Sequence, residues 1–114
     1  MKSFVRFASG LILVMAANLS LGAEVPITST ITGVMPQASG IVQITLASTT
    51  TACTNANNPK RYMLSIGSAG VTAEAFKNIY AAIMLAAALE KSIIVFYDNA
   101  SSNCLISRVL VSTD

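Results

Sequence analysis

Two cysteines, Cys53 and Cys104, and no histidine in 114 residues bound the chemistry open to this chain. Histidine is the commonest general base and the usual partner of a serine or cysteine nucleophile, so a hydrolytic triad lacks its central member. The carboxylates stand singly. Glu90 and Asp98 flank one apolar run, and a strand of that length holds them too far apart for most paired acid and base work. Zinc sites draw four ligands from Cys, His and carboxylates, and two thiols without His fall short. The cysteines are not arranged as Cys-x-x-Cys and neither has a thiolate-stabilising neighbour, which argues against a redox pair. These absences predict no catalytic residue, no metal and no cofactor: the chain reads as a binding protein, not an enzyme. Lys60 and Arg61 form an adjacent cationic pair after an Asn-rich stretch. Such a pair is either the solvated start of a strand or a contact for an acidic sugar or a protein partner. Asn99-Ala100-Ser101 fits the short N-glycosylation acceptor pattern, which has meaning only in a host with that pathway.

What the cysteines do depends on where the chain works. Residues 1–23 have the three parts of a cleaved secretory signal peptide: Lys2 and Arg6 at the start, an apolar stretch from Phe7 to Leu19, and small residues at Ser20 and Gly22. The apolar run of about 13 residues is short of the roughly 20 that a spanning helix needs. Cleavage is expected after Gly22 or Ala23, with no Cys following to carry a lipid anchor. Residues 24–114 are then a single small domain, secreted or periplasmic. In an oxidising compartment an even pair of cysteines closes. A Cys53–Cys104 bridge around some fifty residues restricts the unfolded chain by about 4 kcal/mol.

Subtracting the leader also changes the charge. Lys2 and Arg6 account for the whole formal excess of +2, and the remaining cations are dispersed. Nucleic acid binding needs clustered cations to displace counterions, so it drops out.

The elements that must position any site follow from periodicity. Val25 to Met35 alternates as a strand, with Ile27, Ser29 and Ile31 on one side, Pro26 suited to an edge and Gly33 to a bulge. A turn at Pro36 to Gly40 leads into Ile41 to Ser48, forming a hairpin. Thr49 to Pro59 is a polar loop, and Arg61 to Ile66 is a third strand with Tyr62, Leu64 and Ile66 on one face. Thr72 is a helix N-cap with Glu74 in the first turn. The helix then runs from about Ala73 to Leu89, with Phe76, Ile79, Tyr80, Ile83, Met84 and Ala87 facing the sheet. A second apolar stripe, Ala82, Leu85, Ala86 and Leu89, makes it apolar nearly all round. In so small a domain that stripe is expected to meet another subunit. Its uninterrupted apolar run, Ala81 to Leu89, is too short to span a membrane. Ser92 to Tyr97 reads as a strand buried on both faces, and Cys104 to Ser112 as its hairpin partner. The order β-β-β-α-β-β, mainly β with one long helix, is that of a small five-stranded Greek-key barrel of the oligonucleotide/oligosaccharide-binding (OB) type.

From Thr72 onward the pattern has a further likeness. The helix opening Ala73-Glu74-Ala75-Phe76-Lys77-Asn78-Ile79-Tyr80 is followed by Lys91-Ser92-Ile93-Ile94-Val95-Phe96-Tyr97-Asp98 and Cys104-Leu105-Ile106-Ser107-Arg108-Val109-Leu110. This stretch, up to Val111, resembles the C-terminal half of the cell-binding B subunits of AB-type bacterial toxins, in the cholera and subtilase cytotoxin groups. The resemblance implies a homopentameric ring with helices lining a central channel and sugars bound at the outer surface. The chain departs from that pattern in two respects. Its first cysteine lies mid-chain in a loop where the cholera-type disulfide starts from an N-terminal segment, and it has no Trp to stack on a sugar ring. The expectation is therefore an exported homo-oligomeric module that binds a glycan or a protein. The alternative is a monomeric inhibitor or accessory protein that binds an enzyme through the loop around Cys53.

Overall fold

The computed structural model describes residues 23–112; the expected signal peptide, apart from Ala23, lies outside the described residues. Five strands and one helix follow in the expected order: β1 (Glu24–Pro36), β2 (Val42–Leu46), β3 (Arg61–Leu64), α1 (Ala73–Ala88), β4 (Ser92–Asp98) and β5 (Leu105–Val111). The strands close into a barrel in the order β1-β2-β3-β5-β4.

One long strand serves both ends of the sheet. Residues Glu24 to Thr30 of β1 pair with β4, and Ile31 to Pro36 pair with β2, with a register shift between Ile31 and Gly33. The bulge expected at Gly33 thus bends β1 from one neighbour to the other. Pro26, which has no N–H to donate, lies in the half that pairs only with β4, the one-sided position that proline tolerates.

Alternation supplies the core. Ile27, Ile44, Leu64, Ile93, Val95 and Ile106 point inward around the edge-to-face pair Tyr62 and Tyr97, whose ring centroids are 5.2 Å apart. Ser29, the buried polar residue of this set, donates to the Thr30 carbonyl and accepts from the Ser48 N–H. Strand β4 differs from expectation: Ile93, Val95 and Tyr97 are buried, but Ile94 and Phe96 are only half-covered. A barrel wall is one layer thick, so its outer face meets solvent. Over Phe96 that face is covered by the Arg108 guanidinium, 4.1 Å from the ring centroid. Strand β3 ends at Leu64, so Ile66 turns outward and is largely exposed instead of joining Tyr62 and Leu64 inside.

A second bulge, between Phe96 and Tyr97, lets Ile106 face inward and then shifts β5 by one residue. Val109 and Val111 therefore turn toward the core, and Arg108 and Leu110 turn out. Ser107, the extra residue, has one hydroxyl hydrogen, which Glu24 Oε2 and, at longer range, the Phe96 carbonyl share. Arg108 pairs with the same carboxylate at 2.9 Å. Hydrogen bonds from Arg108 and then Ser107 hold Glu24 below the usual carboxylate range. Its stabilisation is present above the unfolded value and is lost as pH falls through the folded one. Solvent exposure keeps it small.

Thr72 caps α1 as expected, accepting from the Ala75 N–H at 3.1 Å. The helix packs mainly on β1 and β5, burying Ile79, Ile83 and Ala86. At about 100° per residue, positions 79, 83 and 86 cluster within one narrow sector. Met84 lies on the other side of the axis and is exposed, contrary to its expected place on the inner face.

The Tyr62 hydroxyl is buried without a hydrogen-bond partner. Burial, and secondarily the neighbouring Tyr97, pushes it up to about 12. The unfolded chain releases this proton near pH 10, so the stability linked to it is intact below pH 10 and is lost as pH rises through 12. Tyr62→Phe keeps the ring and deletes the unsatisfied hydroxyl, so it should raise stability by about 1 kcal/mol and remove part of the alkaline loss. Urea unfolding at pH 7 and pH 11 measures both; a marked loss at pH 7 would show that the hydroxyl has a partner.

Candidate ligand-binding face

In the β2–β3 ladder Gln43 lies opposite Met63 and Thr45 opposite Arg61. Val42, Ile44, Leu46, Tyr62 and Leu64 take the inner positions, so these four side chains occupy the outer face. Arg61 stands between two shallow hollows on that face. The first, about 240 Å³, is apolar and is lined, beside Arg61, by Gly33, Val34, Met35, Gln43, Thr45 and Pro59. A Cβ on Gly33 would stand 2.7 Å from Thr45 Oγ1, so glycine lets the two strands approach here. The second hollow, about 190 Å³, is polar. Asn55, Asn57 and Arg61 form one wall, Ser102 and Asn103 the other, with Gln43 and Met63 at the base.

The disulfide joins those two walls. Cys53 lies in the β2–β3 loop and Cys104 immediately precedes β5, with their Cα atoms 5.7 Å apart and both side chains buried. Asn55 extends the clamp. Its Nδ2 donates to Cys53 Sγ at 3.1 Å and to the Arg61 carbonyl at 2.8 Å, while its Oδ1 accepts from the Arg61 N–H at 3.3 Å. One side-chain amide thus imitates a strand neighbour for Arg61 and ties that residue to the disulfide.

The Lys60-Arg61 pair is split by this arrangement. Lys60 turns inward, its ammonium donating to the Thr50 and Cys53 carbonyls. Three N–H donors on a flexible stem suit it to collecting loop carbonyls, and here it serves the β2–β3 loop. Arg61 is exposed and faces no carboxylate among the described residues. The same sorting affects the helix stripe. Ala86 is 0% exposed and belongs to the core, and Ala82 is half-buried, whereas Leu85 and Leu89 are 54% and 57% exposed. The outward stripe is Ala81, Met84, Leu85 and Ala88, continued by Leu89.

The face offers a guanidinium, several amides and hydroxyls, and an apolar hollow beside them. That inventory can hold a polar ligand and desolvate one side of it. It contains no nucleophile paired with a base. Among the described residues no group of three or more His, Cys, Asp and Glu converges. Gln43, Asn55, Ser102 and Asn103 were not singled out by sequence reasoning. For Asn55, Ser102 and Asn103 the available signal was their spacing from the half-cystines: residues flanking Cys53 and Cys104 must meet once those two are bonded. For Gln43 it was strand alternation, which turns it away from the face of Val42 and Ile44.

Strand order and helix position define a five-stranded barrel of the OB type. The fold is similar to that of the cholera toxin-like B-subunit from Citrobacter freundii, with a TM-score of 0.60, 12% sequence identity, and 79% of this chain and 85% of that chain covered. At that identity the likeness is one of fold. No protein-family model matches the chain, and no curated protein matches its sequence.

Asn55→Ala should cost about 1 kcal/mol and loosen the loop. Replacing both cysteines by Ala should cost about 2–5 kcal/mol. Denaturant melts report the stabilities, and amide hydrogen exchange at residues 53–61 and 101–104 reports the loosening. Unchanged exchange in the double variant would mean that the walls stand without the disulfide.

Proposed function

We propose that this chain is an exported, non-enzymatic binding module that assembles as a homo-oligomer and recognises a glycan or protein through the outer face of β2 and β3. The observation that carries the assembly is the exposed run Met84, Leu85 and Leu89 on a helix whose opposite side is already buried. Grouped apolar exposure on a small soluble domain marks an interaction surface. The likeness to a toxin B-subunit fold supports the same class. The β2–β3 face is where OB-type barrels bind oligosaccharides and oligonucleotides; the near-neutral domain argues for the former. Arg61 and the amides suit hydroxyl and carboxylate groups, and the disulfide suits secretion or a periplasmic site.

A monomeric inhibitor or accessory protein is the second reading, favoured by the loop from Thr50 to Arg61. Lys60, Asn55 and the disulfide hold that loop in one shape, and a preordered loop loses less entropy on binding a protein.

Native mass spectrometry of the exported protein separates the two. An oligomer at micromolar concentration is expected, and Leu85→Glu with Leu89→Glu should dissociate it with an unchanged circular dichroism spectrum. Each leucine removed from such an interface weakens it by about 1.5–3 kcal/mol. Arg61→Ala should lower signal on a glycan array without altering the oligomer. A clean monomer removes the first reading, and loss of protein capture on changing Asn57 alone would favour the second.

A further inference from the structure

We propose that the exported chain begins at Ala23, released by cleavage of the Gly22–Ala23 bond, and that its new α-ammonium group is held by Asn99. The proposal rests on the reading of residues 1–22 as a secretory leader and chooses between the two bonds that reading leaves open.

Two observations converge on the same bond. A leader peptidase takes small side chains one and three positions before the cut. Cleavage after Gly22 places Gly22 and Ser20 there, whereas cleavage after Ala23 would place Leu21 at the third position. Independently, Ala23 is built into the fold. The β1–β4 ladder runs to the pair Glu24 and Asp98, and Ala23 continues it by one step. Its N–H donates to Asn99 Oδ1 at 3.1 Å, and the Asn99 N–H donates to the Ala23 carbonyl at 3.2 Å. A cut one residue later deletes both bonds.

The charge balance agrees. Hydrolysis by the membrane leader peptidase adds water across the amide, leaving a carboxylate on Gly22 in the released leader and an amine on Ala23. That amine takes up a proton below about pH 8. The hydrogen bond to Asn99 Oδ1 then becomes charge-assisted. The ladder end holds two carboxylates, Glu24 and Asp98, of which Glu24 pairs with Arg108, so a further cation there is favourable. Placed on Glu24 itself, the ammonium would stand on the residue that already binds the Arg108 guanidinium.

The test uses the full-length chain expressed with export. Intact mass should match residues 23–114 less two hydrogens for the disulfide. A chain starting at Glu24, or at any other internal residue, overturns the chosen bond and leaves export standing; an uncut chain from Met1 overturns the leader as well. In a second arm, exported Asn99→Ala should keep the same start, with its melting midpoint about 3 °C below the parent. Asn78→Ala on the exposed helix face should show no such fall. An Asn99→Ala midpoint equal to the parent's would overturn the capture of the ammonium.

Discussion

The barrel closes at a seam one residue pair wide. Strands β3 and β5 run parallel and share the single register pair Met63 and Leu105, joined through the Met63 N–H and the Cys104 carbonyl at 3.1 Å. Every other neighbouring pair of strands has a ladder of four or more register pairs. A ladder that short contributes little by itself, and a small domain has a thin core with which to compensate. The covalent bond from Cys53 to Cys104 lies directly beside this seam, and Asn55 carries its hold onto Arg61 at the start of β3. The polar hollow exists because of the same constraint. Its two walls are the chain segments that the disulfide brings together, so closing the barrel and shaping the face are one event.

Element order and the disulfide were legible because each is written in a local signal. Thr72 followed by an acidic first turn starts a helix wherever the tertiary fold puts it, and two cysteines have one pairing available. Features that depend on several elements at once were not legible. The Ser107 bulge reverses the faces of the last four residues of β5, and nothing in their alternation signals it, because either register places aliphatic side chains on both sides. Tyr97 and Ile94 look alike as strand residues, and only the curvature of a one-layer wall makes one buried and the other half-exposed. On the helix, Ala86 and Leu85 are adjacent apolar positions about 100° apart. The sequence leaves a helix that is apolar nearly all round without a unique orientation, and contact with β1 and β5 selects it.

The candidate site was half legible for a related reason. Lys60 and Arg61 have the same charge and adjacent positions, yet only Arg61 belongs to β3, and the two go to opposite destinations. The loop carbonyls of Thr50 and Cys53 take one of them inward, and the ladder partner Thr45 fixes the other outward. Asn55 illustrates the converse case. In sequence it is one of several asparagines in a polar loop, yet its amide meets both hydrogen-bonding groups of the Arg61 backbone.

The two exposed surfaces belong to different parts of the barrel, and their strengths are complementary. The hollows, at about 190 and 240 Å³, fall below the roughly 300–1,000 Å³ of pockets that enclose a small molecule. They are also open to solvent and have no aromatic ring on which to stack a sugar. A single copy of such a face binds weakly on physical grounds, because little ligand surface leaves water. The apolar stripe of α1 lies on an element that packs against β1 and β5, whereas the hollows lie over β2 and β3. Subunits joined through the helix would leave each β2–β3 face free. Linked copies of a weak site gain effective concentration without any new contact, by factors of roughly 10² to 10⁴ where geometry allows simultaneous engagement. Under the proposed reading, then, the helix supplies the affinity that the shallow face lacks, and the same copy number would reward a ligand that is itself repeated on a surface.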